Sequence, residues 1–254
     1  MVWCNGVNRQ GNPCGSTRNL DKCGYCTHHR RQGLPKCQGA KVGTKSPCKK
    51  PAKEGSDFCC VAHEFPNEHI APKVLDPLGF CLRDKVEADV VRYWRKKDVY
   101  NQEKLDLKTP YALDLDHIAE KQLFTTALSM TGLRNGDKDL DLATEYLRDE
   151  VVNKVQNLCL TRPDTNRIKG SAVYHFLDDW RTEHLAEKTF ASYLLDEQRL
   201  DRDVTGRITR KMGRALKRSQ RMLSDEGDTP VLERVSEHLQ KIYVAMELKA
   251  PRKK

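Results

Sequence analysis

Long apolar runs are missing from this chain. In 254 residues no stretch reaches the roughly 18 apolar residues of a membrane-spanning helix, and the mean hydropathy of −0.73 agrees. A membrane span is therefore not expected. The opening, MVWCNGVNRQ, has no apolar core of the kind a secretory signal needs, which points to a reducing, cytoplasmic setting. Large apolar side chains are also scarce before residue 65, so that segment has too little to bury to fold on side-chain packing alone. Acidic residues are thin in two places: residues 1–64 hold four Asp/Glu against eleven Lys/Arg, and residues 202–221 hold one against eight. The net charge is +9, and what lies outside those two stretches is mildly acidic. Two basic patches on an acidic body are the footprint of a polyanion partner.

What the first segment does have is cysteine. Eight of the ten cysteines precede residue 61, and they repeat. Cys4-x9-Cys14-x11-Cys26-x2-His29 is answered by Cys37-x10-Cys48-x11-Cys60-x2-His63, with Pro13-Cys14 matching Pro47-Cys48. Three thiolates and an imidazole complete a tetrahedral zinc site, and a reducing compartment favours metal over disulfides. Two structural Zn²⁺ are expected, each supplying about 10–16 kcal/mol of apparent binding free energy to a segment without a core. Cys23 for Cys26, His28 for His29 and Cys59 for Cys60 stay open as alternatives. Cys81 and Cys159 are expected to pack as small apolar side chains. The repeat resembles small tandem Cys3His modules found in phage and other proteins.

Residues 202–221 have helical order as well as charge. Arg207, Arg210, Lys211, Arg214, Lys217, Arg218 and Arg221 recur at three- and four-residue steps and so share one face. Ile208, Met212, Ala215, Leu216 and Leu223 fall toward the other face and can dock on the body. Such a helix can lie along a phosphate backbone. If all seven cations touched duplex phosphates, affinity would fall with salt at a log–log slope of about −6.

Two short stretches carry the chemistry, LDLDHI at 113–118 and NLCLTRPDTNRIKG at 157–170. His117 can take a proton from water, and Asp116 and Asn166 offer oxygen to a hard cation. Asn157 can orient the base. With Mg²⁺ (or Mn²⁺) this is a kit for phosphodiester cleavage. The stretches resemble the HNH (ββα-metal) endonuclease motif, most closely the HNH domain of RNA-guided CRISPR nucleases. There an Asp-x-Asp-His-Ile strand precedes an Asn-led strand and a helix reading Leu-Thr-Arg-x-Asp-x-Asn-Arg-x-Lys. Asp114, Asp116, His117 and Ile118 match the first element; Asn157, Leu160, Thr161, Arg162, Asp164, Asn166, Arg167 and Lys169 match the second. The resemblance implies His117 as general base, Asp116 and Asn166 as metal ligands, Asn157 as the residue positioning the His, and Lys169 near the phosphate. Asp114 would either brace a metal ligand from behind or act as an auxiliary ligand itself. One departure stands out: 39 residues separate His117 from Asn157 where the family has a short loop. LFTTALSMTGL and LATEYLRDEVVNKV in that gap read as helices, and a longer loop costs little entropy.

The expected architecture is mostly α, with a small ββα-metal (HNH) nuclease core and N-terminal zinc-stabilised modules. Residues 1–65 form the tandem modules, and 66–110 a proline-marked linker and a helix over about 82–105 that ends at Thr109-Pro110. That helix carries a basic cluster of Arg92, Arg95, Lys96 and Lys97. Residues 111–180 hold the nuclease core with its helical insertion, and 181–254 a C-terminal helical region bearing the basic helix. Trp180, Phe190 and Tyr193 are expected in the core, and a last helix begins near Asp228-Thr229-Pro230. The functional expectation is a metal-dependent endonuclease cutting DNA, of phage type, nicking as a monomer in a bacterial or phage-infected cell. RNA stays open as the other polyanion. The alternative is a non-catalytic zinc-finger regulatory protein that binds nucleic acid on an HNH-like scaffold.

Overall fold

The computed structural model describes residues 3–248 apart from 8–9, 18–19, 21–24, 27–28, 30–31, 33, 41–45, 54–55, 67–68, 109–111, 135, 184, 186–187, 197–199 and 226–228. Cys23, His28, the break at Thr109-Pro110 and the helix start at Asp228 lie outside the described residues. The chain divides into two units, residues 1–67 and 68–254.

The first unit has little regular structure, as its composition requires. Among its described residues, one helical turn, α1 (Val61–Glu64), accompanies isolated β-bridges Val7↔Pro13, Lys36↔Pro51 and Ala40↔Pro47. The backbone repeats with the cysteines. Val7↔Pro13 and Ala40↔Pro47 occupy the same place in each repeat, and so do the bonds Cys14 N–H to Gly6 O and Cys48 N–H to Gly39 O, both 2.8 Å.

The second unit is mostly helical around a two-stranded sheet. In order it runs α2 (Leu82–Tyr93), β1 (Asp114–His117), α3 (Lys121–Ser129), α4 (Lys138–Tyr146), β2 (Leu158–Thr161), α5 (Pro163–Arg181), α6 (Phe190–Asp196), α7 (Arg202–Asp225) and α8 (Pro230–Ala245). Pro163 and Pro230 open α5 and α8, where the missing amide would have had no helical partner. In α7 the buried residues Val204, Ile208, Met212, Leu216 and Leu223 follow the helical repeat and pack along the stripe Val231, Val235, Leu239 and Ile242 of α8. Phe124 and Leu128 of α3 and Phe176 of α5 complete the main core. Phe190 and Tyr193 are buried there, each edge-on to Phe176 at 5.8 Å, and Trp180 packs at its margin. No helix among the described residues is long and apolar enough to cross a membrane.

β1 and β2 pair antiparallel, with Asp114 opposite Thr161, Leu115 opposite Leu160, Asp116 opposite Cys159 and His117 opposite Leu158. Strand alternation then separates the faces. Leu158 and Leu160 join Val90 of α2 and Leu105 in a small second core. Asp114 and Asp116 turn to α5. Between the strands lie α3, α4, a π-helical turn (Leu147–Val152) and a 3-10 turn (Val155–Asn157), so the insertion is helical as the spacing suggests.

Two local expectations are corrected. The helix expected to reach 105 stops at Tyr93, because the chain turns at Trp94–Lys96 and folds back through a Lys97↔Lys104 bridge. Asp98 holds that turn: its buried carboxylate accepts the amides of Tyr100 at 2.7 Å and Asn101 at 3.0 Å and the Thr161 hydroxyl at 2.8 Å. Cys81 precedes α2 without a side-chain capping bond and is exposed rather than packed, while Cys159 is fully buried.

Candidate functional site

Two Cys3His groups in the first unit could each hold a zinc ion: Cys4, Cys14, Cys26 and His29, and Cys37, Cys48, Cys59 and His63. Within each, the ligand atoms lie within 4.8 Å of one another. Neighbouring sulfurs are 3.9 Å apart in Cys14–Cys26 and 3.8 Å in Cys48–Cys59. Sulfur-to-Nδ1 distances run from 3.2 to 3.6 Å. A zinc ion bound at about 2.3 Å to sulfur and about 2.0 Å to nitrogen needs tetrahedron edges of about 3.5–3.8 Å, so the donor sets fit. The same sulfur gaps are far beyond the roughly 2.05 Å of a disulfide, and all described cysteines are free.

The second group contains Cys59 in place of Cys60. Cys59 N–H bonds Cys37 Sγ at 3.3 Å as Cys26 N–H bonds Cys4 Sγ at 3.2 Å, and both pairs are 22 residues apart. The register of this amide–thiolate bond, rather than the distance to the histidine, selects the ligand. Gly6 and Gly39 complete each site. A β-carbon on Gly6 would sit 2.3 Å from His29 Cβ, and one on Gly39 2.5 Å from His63 Cβ. Their amides also reach Cys4 and Cys37 Sγ at 3.3 Å. Burial raises the Cys4 thiol, but the Cys26 and Gly6 amides outweigh it and bring it down to about 6.

The second candidate site lies on β1, β2 and α5. Asn166 and Lys169, one turn apart on α5, meet Asp114 and Asp116 on β1: Asn166 Nδ2 donates to Asp114 Oδ2 at 3.1 Å, and Lys169 Nζ lies 3.0 Å from Asp116 Oδ1. Lys169 is fully buried and also reaches Glu120 at 2.7 Å and the His117 carbonyl at 2.6 Å. It ties α5 to β1 and is not presented to a phosphate. Burial alone would push its pKa down; Asp116 and Glu120 more than reverse that, so it stays an ammonium. Tyr100 donates to the other Asp116 oxygen at 2.9 Å. Burial pushes Asp116 up to about 7 against the opposing charge of Lys169.

These contacts revise the expected metal pair. Asp116 is 2% exposed with both oxygens engaged, and the adjacent ammonium would repel a dication, so it does not fit a ligand role. Asp114 and Asn166 are only half-buried, and Asp114 Oδ1 takes no hydrogen bond from the described residues. Asp114 and Asn166 are thus two oxygen-bearing side chains held to each other by one hydrogen bond.

His117 leaves β1 on the opposite face from Asp116. Its Nε2 lies 2.9 Å from Oδ1 of Asn153, the residue that closes the π-helical turn. Asn157, expected beside the imidazole, instead clamps the backbone after β1. Its Oδ1 accepts the Ala119 amide at 2.8 Å, and its Nδ2 donates to the Ala119 and Val152 carbonyls at 3.2 and 2.9 Å. Burial lowers the His117 pKa to about 4, aided by Lys121 and Lys169 and opposed by the Asn153 bond, so the ring is neutral at pH 7.

The seven cations of α7 divide into two groups. Arg207 donates to the Tyr100 carbonyl, Lys211 Nζ stands 4.3 Å over the Trp94 ring, and Arg218 donates to the Gln156 carbonyl at 3.1 Å. These three fasten α7 beside the strand pair. Arg210, Arg214, Lys217, Arg218 and Arg221 are exposed, with Lys217 Nζ also 5.2 Å from the Tyr243 ring, so five of the seven cations expected on one face reach solvent and Arg207 and Lys211 are held against the body.

Compared with protein-family models, curated proteins and solved structures, the chain matches none. Sequence reasoning missed Asn153, Tyr100, Asp98 and the two glycines. For the glycines a signal was present, since Cys4-Asn5-Gly6 and Cys37-Gln38-Gly39 repeat.

Proposed function

We propose that the second unit is a metal-dependent phosphodiesterase of HNH type that cuts DNA, with the zinc modules and α7 as its grip. One observation carries the reading. The two stretches that resemble the HNH motif, 39 residues apart, meet as antiparallel strands followed by a helix, with Asn166 on Asp114. β1 has no second strand partner among the described residues, and cleavage requires the substrate backbone at that edge to reach both Asp114 and His117, which leave the strand on opposite faces three residues apart. His117 takes the proton of the attacking water at Nδ1, the nitrogen left free by the Nε2–Asn153 bond. A divalent cation bound at Asp114 and Asn166 would supply Lewis-acid stabilisation of the developing charge. The exposed cations of α7 hold the backbone on either side.

A second reading has its own support. The burial of Lys169 and the engagement of Asp116 are what a scaffold needs, and they favour a non-catalytic nucleic-acid-binding protein built on the same frame. Supercoiled plasmid incubated with the full chain in Mg²⁺ and in EDTA separates the two. Metal-dependent conversion to open circles is expected. Salt-sensitive binding without cleavage in Mg²⁺ or Mn²⁺ overturns the nuclease reading in favour of the scaffold.

A further inference from the structure

We infer that the turn closing α2 is a second phosphate-binding edge, continuous with α7, and that duplex DNA lies across both. The inference rests on the nucleic-acid reading above. α2 ends as many helices do, with the Lys96 amide reaching back to the Val91 carbonyl at 3.0 Å and the Lys97 amide to the Trp94 carbonyl at 3.1 Å. The two residues that make this stop, Arg95 and Lys96, have φ of 54° and 58°. That left-handed region is where glycine is the usual occupant, because a β-carbon is strained there. Here two consecutive long cations occupy it. Attraction to the helix dipole accounts for a charge in the last turn, which Arg92 already supplies. α5 and α8 stop on single left-handed residues as well, Glu183 and Glu247; what sets the α2 stop apart is that two consecutive left-handed residues are there and both are cations.

The strained stop aims its charges outward. Arg92, Arg95, Lys96, Lys97 and Lys104 are all exposed, and Arg92 makes only a solvent-exposed pair with Asp89 at 3.4 Å. Of the two acids between 92 and 104, Asp98 is buried and committed to the turn's amides, and Glu103 is exposed. Tyr93 stands 44% exposed among the cations, edge-on to Trp94 at 4.9 Å, with a phenol able to donate to a phosphate. Trp94 joins this surface to the rest. Lys211 of α7 covers its ring at 4.3 Å, and its Nε1 donates at 2.6 Å to the carbonyl of Leu158, the residue paired with His117. The turn, the tryptophan and α7 thus border the strand pair as one connected basic surface.

The test uses fluorescence anisotropy of a labelled DNA duplex with the full zinc-loaded chain in a chelator-free, Mg²⁺-free buffer across a salt series. Arg95→Gly/Lys96→Gly removes two charges and supplies the residue this backbone favours, so its Tm should equal or exceed the parent's. Affinity at about 100 mM salt should fall by about tenfold or more, and the log–log salt slope should shrink by nearly 2, at about 0.9 per lost phosphate contact. Lys138→Gln/Lys241→Gln removes two exposed charges from α4 and α8 and should change affinity less than about twofold. A parent that binds while the glycine pair leaves affinity and slope unchanged overturns this inference alone, as does an equal loss in the control pair. A parent that binds no duplex at any salt overturns the nucleic-acid reading itself.

Discussion

His117 Nε2 lies 2.9 Å from Asn153 Oδ1, and the orientation of that amide is fixed from behind. Asn153 Nδ2 donates to the Leu75 carbonyl at 3.0 Å and to the Arg148 carbonyl at 2.9 Å. Two carbonyls can only accept, so the amide nitrogen must face them and its oxygen must face the imidazole. His117 therefore carries its proton on Nε2 and keeps a lone pair on Nδ1. Nitrogen-15 NMR at neutral pH should show the Nε2–H tautomer, and Asn153→Ala should mix the tautomers. The same substitution should slow cleavage about 10- to 100-fold, equal to about 1.4–2.7 kcal/mol. An Nδ1–H tautomer in the parent would contradict this assignment.

Cys59 and Cys60 are neighbours with different roles. The full chain should carry two zinc ions, Cys59→Ser one, and Cys60→Ser two, measured by elemental analysis after gel filtration. Full zinc content in Cys59→Ser with loss in Cys60→Ser would restore the ligand set that spacing alone suggests.

Gly6 and Gly39 leave no room for a side chain beside the histidine ligands. Gly6→Ala or Gly39→Ala should speed zinc release to a colorimetric chelator at least about tenfold, roughly 1.4 kcal/mol of lost affinity, at one site only. Release at the parental rate would mean the histidines have slack that the close approach denies.

Lys169 is a structural ammonium between Asp116 and Glu120. Lys169→Met should lower unfolding free energy by about 3–5 kcal/mol in urea titrations, because it strands buried carboxylates. Asp116→Asn added to it should recover part of that loss. Normal stability with reduced cleavage would instead put Lys169 on the substrate.

Some of this is legible in the chain and some is not, for physical reasons. Pro163 and Pro230 mark helix starts through a local rule, and the α7 stripe from Val204 to Leu223 repeats at a period that burial must follow. The zinc sets were within one residue of being readable; the shared spacing of 22 from Cys4 to Cys26 and from Cys37 to Cys59 is the signal that settles the last ligand. Asn153 carries no such signal. Its role depends on a carbonyl at Leu75, 78 residues away, and on the phase shift of the π-helical turn before it. Asp116 and Asp114 look equivalent in Asp-Leu-Asp-His. Only the arrival of Lys169 and Tyr100 from other segments makes one a buried anchor and leaves the other open. The helix over 82–105 failed for a similar reason, since Asp98 finds its turn amides and Thr161 only once the strands have paired.

Single-turnover cleavage of a labelled duplex by the parent and by His117→Ala, with binding measured on the same samples, decides whether His117 is the general base. Mg²⁺-dependent cleavage by the parent is expected, with none detectable in His117→Ala and duplex affinity within a few-fold for both. Cleavage that survives His117→Ala at the parental rate would contradict it.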